Sequence, residues 1–190
     1  MIKNNIRRES YLKFLNTWKN RDLIKVLSGV RRSGKSTLLA MFQQDLKEQG
    51  VQDENIIAIN FEYMEFEELT DYRKLHDYVL SKVDKNKKNY VFLDEIQHVQ
   101  NFEKVVDSLY IRDYIDLYIT GSNAFFLSGE LATLLTGRYI EQHVLPLSFQ
   151  EFKQWHTENN PTIQQLSKRD LYASVMFKDE RWIRKFEQQL

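Results

Sequence analysis

The stretch Gly29-Val30-Arg31-Arg32-Ser33-Gly34-Lys35-Ser36 reads G-x-x-x-x-G-K-S, and Thr37 follows it. The apolar run Leu23-Ile24-Lys25-Val26-Leu27 precedes it and suits a buried strand. Leu38-Leu39-Ala40-Met41-Phe42 comes after it and suits the start of a helix. Strand, loop and helix in that order are the context that separates a phosphate-binding loop from a chance string match. Glycine at 29 and 34 lets the backbone turn tightly and approach phosphate oxygens with no Cβ in the way. Successive backbone N–H groups then form an anion nest, and the open start of the following helix adds partial positive charge. Lys35 can reach the terminal phosphates as a point charge. The Ser36 hydroxyl can ligate Mg²⁺. Nucleotide contacts are therefore expected from Gly29, Val30, Arg31, Arg32, Ser33, Gly34, Lys35, Ser36 and Thr37, with Arg31 and Arg32 either near phosphate or solvated.

Tyr90-Val91-Phe92-Leu93-Asp94-Glu95 is the second decisive stretch. A buried apolar strand delivers two acids at its C-terminal end, where open α/β sheets bind ligands. Asp94 fits the Walker B aspartate, which holds Mg²⁺ directly or through water. Glu95 fits the base that polarises the attacking water. A small GTPase would show D-x-x-G here and N-K-x-D later, and the chain has neither. Glu95 also argues against a small-molecule kinase, which usually lacks the hydrolytic glutamate.

The remaining chain alternates helical and strand patterns. Residues 9–19 place Tyr11, Leu12, Leu15 and Trp18 at helical spacing, and the helix after the loop runs to about Gly50. Ile56-Ile57-Ala58-Ile59-Asn60-Phe61 reads as a strand. Glu62, Glu65, Glu67 and Glu68 are spaced too loosely for a metal cluster and read as a solvated loop. A helix is expected over 69–83, a polar turn over 84–89, and another helix over 102–113. Ile115-Asp116-Leu117-Tyr118-Ile119-Thr120 is a further strand, ending in Gly121-Ser122-Asn123. If that strand lies beside the first, Ser122 or Asn123 can reach the space between phosphate and water; otherwise one of them caps the next helix. A helix through Leu135 and a strand over 139–145 follow. Arg138, just before that strand, is either an arginine finger for a neighbouring subunit or half of an intramolecular salt bridge. Ser148 and Glu151 have the spacing of a capping box. His98 reads as a surface residue.

Basic and acidic residues balance at 27 each, so bulk charge gives no support for nucleic-acid binding. With no cysteine, disulfides and thiolate metal sites are excluded. No apolar run approaches the roughly 20 residues of a membrane span, and no signal peptide is legible. The expectation is a soluble, cytoplasmic protein.

Strands alternating with helices around the two phosphate-site strands argue an α/β fold, a parallel sheet with helices on both faces. Taken in order, the motif at 29–37, Phe92-Leu93-Asp94-Glu95-Ile96-Gln97, Thr120-Gly121-Ser122-Asn123, Gly137-Arg138-Tyr139 and Pro146-Leu147-Ser148-Phe149-Gln150-Glu151-Phe152 resemble the AAA+ ATPase domain of the prokaryotic AAA_14 family. The resemblance covers about residues 6–155. It implies a P-loop NTPase sheet of strand order 5-1-4-3-2, ATP as nucleotide and Mg²⁺ as metal. Ser36 and Asp94 are then the metal ligands, and Glu95, Lys35, Asn123 and Arg138 the catalytic set. Such ATPase domains are usually followed by a larger C-terminal domain, whereas this sequence stops at Leu190. Residues 1–155 are thus expected as the ATP-binding domain, and 156–190 as a helical tail, lid or start of a truncated second domain. The expected activity is Mg²⁺-dependent ATP hydrolysis coupled to conformational change in a protein partner, a missing domain or a homo-oligomer. The alternative is an ATP switch with little turnover whose output is partner binding, nucleic acid included.

Overall fold

The computed structural model describes residues 6–122, 135, 137–148 and 150–151. Asn123, the helix expected before Leu135 and the whole tail over 156–190 lie outside the described residues. Among the described residues five strands, β1 (Ile24–Ser28), β2 (Ile56–Asn60), β3 (Asn89–Asp94), β4 (Ile115–Gly121) and β5 (Tyr139–His143), form one sheet in the order β2-β3-β4-β1-β5. Every pairing is parallel. Read from the other edge, this is the expected order 5-1-4-3-2.

Parallel strands need covered faces, which is why the central ones read as unbroken apolar runs. β1, β3 and β4 are buried along their whole length, whereas β5 at the edge is only half-buried. Alternate residues of one strand serve opposite layers. Val91 and Leu93 pack with α3 (Tyr72–Lys82) and α4 (Phe102–Tyr110), through Leu75, Val79, Val105 and Leu109. Tyr90 and Phe92 pack on the other face with α1 (Glu9–Trp18) and α2 (Lys35–Glu48), through Leu12, Leu15, Leu38 and Phe42. Phe92 stacks on Tyr118 with centroids 4.8 Å apart, and Phe42 meets Tyr118 at 5.3 Å. Each such ring stabilises the fold by about 1.5–3 kcal/mol through burial.

Local chemistry sets several boundaries. The helix expected over 69–83 begins at Tyr72, because the Asp71 carboxylate accepts from the N–H groups of Arg73 (2.9 Å) and Lys74 (3.0 Å) and caps it there. Residues 64–70 wind instead as a 3₁₀ turn. Asn89, expected in the polar turn, is a fully buried first residue of β3. Its amide donates to the carbonyls of Asp84 (2.8 Å) and Lys87 (2.9 Å) and closes the turn from within.

A polar cluster lies inside the α1/α2 layer. Lys25 and Asp116, both essentially without solvent exposure, form an ion pair. Lys25 Nζ also donates to Arg21 O (2.8 Å). Asp116 Oδ2 accepts from Tyr118 Oη (2.7 Å) and from the Asn20 N–H (2.9 Å). Burial pushes the Lys25 pKa below its ordinary value, against the pull of Asp116. The cluster fixes the turn between α1 and β1, where Asn20 takes a left-handed conformation.

Residues Arg7–Pro146 make one compact unit. In the segment beyond it, Ser148 N donates to Glu151 Oε2 (2.7 Å) and Glu151 N to Ser148 Oγ (3.2 Å), the expected capping box.

Candidate functional site

Register brings the site residues to one edge. Ser28 pairs with Gly121 and with His143, and Asn60 pairs with Asp94. The C-terminal ends of all five strands therefore meet along the same side of the sheet, and the segment 29–34 leaves β1 there. Gly29 has φ +152, and a Cβ built on it would lie 2.4 Å from Val144 O. Gly34 has φ +97, open space where a Cβ would stand, and caps the start of α2. Arg32 is left-handed as well, at φ 65. Arg8, buried, donates to Ser33 O (3.3 Å) and Leu145 O (2.8 Å), joining the loop to the chain after β5.

Lys35 is 3% exposed. Its Nζ donates to Gly29 O (3.2 Å) and Val30 O (3.4 Å), and lies 3.3 Å from Glu95 Oε1. Asp94 is buried at the end of β3, and each of its carboxylate oxygens accepts a hydrogen bond. Thr120 Oγ1 donates to Oδ1 and Asn60 Nδ2 donates to Oδ2 at 2.9 Å, and the Ser36 hydroxyl is near enough to act on the Asp94 pKa. Burial raises the Asp94 pKa above the ordinary carboxylate value, while the bonds from Thr120 and Ser36 oppose the shift. Thr120 Oγ1 also accepts from the Glu95 N–H at 2.9 Å, so one hydroxyl orients both acids. Glu95 itself is left-handed, φ 57 and ψ 49, and its Oε2 accepts from Gln97 Nε2 at 2.5 Å.

A cleft of about 280 Å³ opens over these groups. Arg31, Arg32, Lys35, Ser36, Glu62 and Glu95 are among the residues that line it. Arg31 Nη2 donates to Glu62 Oε1 (3.2 Å) across the rim.

The donor set suits a phosphate chain with a hard divalent cation. The loop offers a lysine, open space at Gly34 and a buried Ser33 hydroxyl that has no partner among the described residues. Ser36 and Asp94 are near neighbours here, as two oxygen ligands of one ion would be. Among the described residues no three His, Asp or Glu gather into a metal cage. Magnesium does not need one, because it binds through one or two protein oxygens plus phosphates and water.

The structure thus brings together Lys35, Ser36, Asp94 and Glu95. β4 lies beside β1, the condition set for Ser122, which follows directly on the end of β4. Arg138 does not join this site. Its carbonyl accepts from the Ile24 N–H at the start of β1, at the other end of the strands from the site, and its guanidinium pairs with Asp107 of the same chain. His98 is exposed, as expected. Thr120, Asn60, Gln97 and Arg8 were not singled out by the sequence reading. Asn60 ends the otherwise apolar β2, which is a weak signal, whereas Thr120 stands inside β4, one residue before its end.

The family model of AAA_14, described as an AAA domain, matches residues 21–153. The chain belongs to the AAA_14 family. A protein of Haemophilus influenzae, described as uncharacterized, is 47% identical over 153 residues, covering 80% of this chain and 38% of its own length. The chain therefore spans well under half of that relative. Among solved structures, PCH-2 of C. elegans matches with a TM-score of 0.51 at 20% identity, over 80% of this chain and 46% of its own. The Aeropyrum pernix ORC1 protein, solved in complex with DNA, matches with a TM-score of 0.57 at 12% identity, over 83% and 50%. At those identities the likeness is one of fold. Family and fold together make this an AAA+ ATPase-like domain of the P-loop NTPase class. Among the described residues no helix is long and apolar enough to cross a membrane.

Proposed function

We propose that this AAA_14 domain binds Mg²⁺-ATP in the cleft above α2 and hydrolyses its β–γ phosphoanhydride bond. The observation that carries the reading is the convergence of Lys35, Ser36, Asp94 and Glu95 at one sheet edge, with Lys35 Nζ 3.3 Å from Glu95 Oε1. In this reading Lys35 leaves the carbonyls of Gly29 and Val30 for the β- and γ-phosphates, where loop N–H groups join it. Ser36 Oγ and Asp94 would hold the metal, and bound Mg²⁺ supplies positive charge that offsets the negative charge of the phosphates. Glu95 orients a water on the γ-phosphorus and takes its proton as the new P–O bond forms and ADP departs. Thr120 and Asn60 keep Asp94 from turning. Ser122 and Asn123 are the candidates to contact the same water or phosphate. Arg138 serves a neighbouring copy only if its pair with Asp107 opens. Coupling of turnover to a protein partner or to a further domain fits the greater length of the relatives.

The test is phosphate release from Mg²⁺-ATP, with calorimetry for binding. Lys35→Ala should lose nucleotide affinity. Glu95→Gln should keep affinity and lose turnover. Binding with no turnover in the wild-type chain would replace hydrolysis with the ATP-switch reading. Unchanged affinity in Lys35→Ala would remove the cleft assignment altogether.

A further inference from the structure

Glu95 is held from two sides. Lys35 Nζ faces Oε1 and Gln97 Nε2 donates to Oε2. Its main chain is pinned as well, because the N–H rests on Thr120 Oγ1 and the backbone is left-handed. A carboxylate can only accept, so the Gln97 amide must present its NH₂ group to Glu95. Its carbonyl Oε1 is then left over, and that atom is buried with no partner among the described residues. Buried acceptors in native proteins are nearly always satisfied, so this atom has a hydrogen bond to offer a group that enters beside Glu95.

The two tethers differ in what happens to them during turnover. Lys35 is the group that the ATPase reading sends to phosphate, so its hold on Oε1 ends when nucleotide enters. Gln97 belongs to the 3₁₀ turn just after Glu95 and has no part in the phosphate loop. We propose, resting on the ATPase reading above, that Gln97 positions both partners of the hydrolytic step. Its Nε2 keeps the Glu95 carboxylate aimed once Lys35 has left, and its Oε1 accepts a hydrogen bond from the attacking water. The water then has one O–H directed at Glu95 and the other at Gln97, which turns a lone pair toward the γ-phosphorus.

The experiment measures kcat and KM for Mg²⁺-ATP, with Kd by calorimetry and thermal midpoint, in wild type, Gln97→Met, Gln97→Glu, Glu95→Gln and the double variant Glu95→Gln/Gln97→Met. Methionine keeps the length and removes donor and acceptor; glutamate keeps acceptors and cannot donate to Glu95. Both single Gln97 variants should lose roughly 10- to 100-fold in kcat, the scale of a misaligned catalytic group, with KM and Kd within about twofold. The double variant should turn over no more slowly than Glu95→Gln, because Gln97 acts on the step that Glu95 performs. Wild-type kcat in either Gln97 variant, or a rise in it, would overturn the proposal. So would a loss that multiplies with that of Glu95→Gln, which points to general damage. A wild-type chain that binds ATP without hydrolysing it overturns the ATPase reading instead, and is told apart by the first trace.

Discussion

Asp116→Leu is the most informative perturbation of the fold. The carboxylate faces Lys25 inside the α1/α2 layer, with both side chains essentially unexposed. Leucine has a similar volume, so packing is largely kept while the charge is lost. Lys25 would retain its hydrogen bond to Arg21 O, and Tyr118 Oη and the Asn20 N–H would lose their acceptor. Removing one partner of a buried pair costs about 3–5 kcal/mol. Each orphaned donor adds about 1–3 kcal/mol before relaxation. A loss of about 4 kcal/mol or more follows, a large part of the roughly 5–15 kcal/mol of a typical domain. At roughly 2–4 °C per kcal/mol, the thermal midpoint should fall by about 10 °C. Lys25→Met should cost less, because Asp116 keeps two donors. The pH dependence gives a second reading. Burial holds the folded-state Lys25 pKa below the ordinary value, and without Asp116 it falls further. Between that lowered value and the ordinary one, the unfolded chain binds more protons than the folded chain, so stability rises with pH. Urea melts near neutral pH and at about pH 9.5 should therefore narrow the gap between variant and wild type. A loss under about 1 kcal/mol at neutral pH, or a gap that does not narrow, would refute the reasoning.

Thr120→Val keeps shape and removes the hydroxyl that joins Asp94 to the Glu95 N–H. It should destabilise by about 1–3 kcal/mol and weaken Mg²⁺-ATP binding, read by melts and calorimetry; wild-type values in both would discount the bridge. Gly29→Ala should abolish nucleotide binding or folding, since its Cβ would sit 2.4 Å from Val144 O; an unperturbed melt with intact affinity would contradict the contact. Arg138→Ala breaks an ion pair whose side chains are 45% and 47% exposed, so stability should change by less than about 1 kcal/mol. If turnover nevertheless falls, mixing this variant with Glu95→Gln tests action across subunits: recovery places Arg138 at a neighbour's site, and no recovery leaves it with Asp107.

The sheet was legible because β1, β3 and β4 are buried on both faces and so wrote themselves as apolar runs, and the glycines at 29 and 34 marked the loop between strand and helix. Lys35, Ser36, Asp94 and Glu95 were legible because spacing along one strand or one turn fixes their position. Thr120 and Asn60 were not, since their partners lie on neighbouring strands and only register brings them to Asp94. Arg8 stands 137 residues from its partner Leu145, and a basic residue before a helix ordinarily reads as solvated. Asn89 misled for the opposite reason: its residue type favours turns, and here the side chain builds the turn while the backbone begins a strand.

The strand order has a consequence for synthesis. Of the five described strands, β1 carries the loop and leaves the ribosome first, yet its two neighbours, β4 and β5, are the last of the five made. β2 and β3 can pair with each other at once, while β1 waits with both edges open and an apolar sequence exposed. A strand in that condition is a template for pairing with another nascent chain. The half-made domain is thus the aggregation-prone species, and slow translation ahead of β4 lengthens its life. The cleft between the loop after β1 and the end of β3 cannot form until β4 has paired between them, so any ligand of that cleft binds only the assembled sheet.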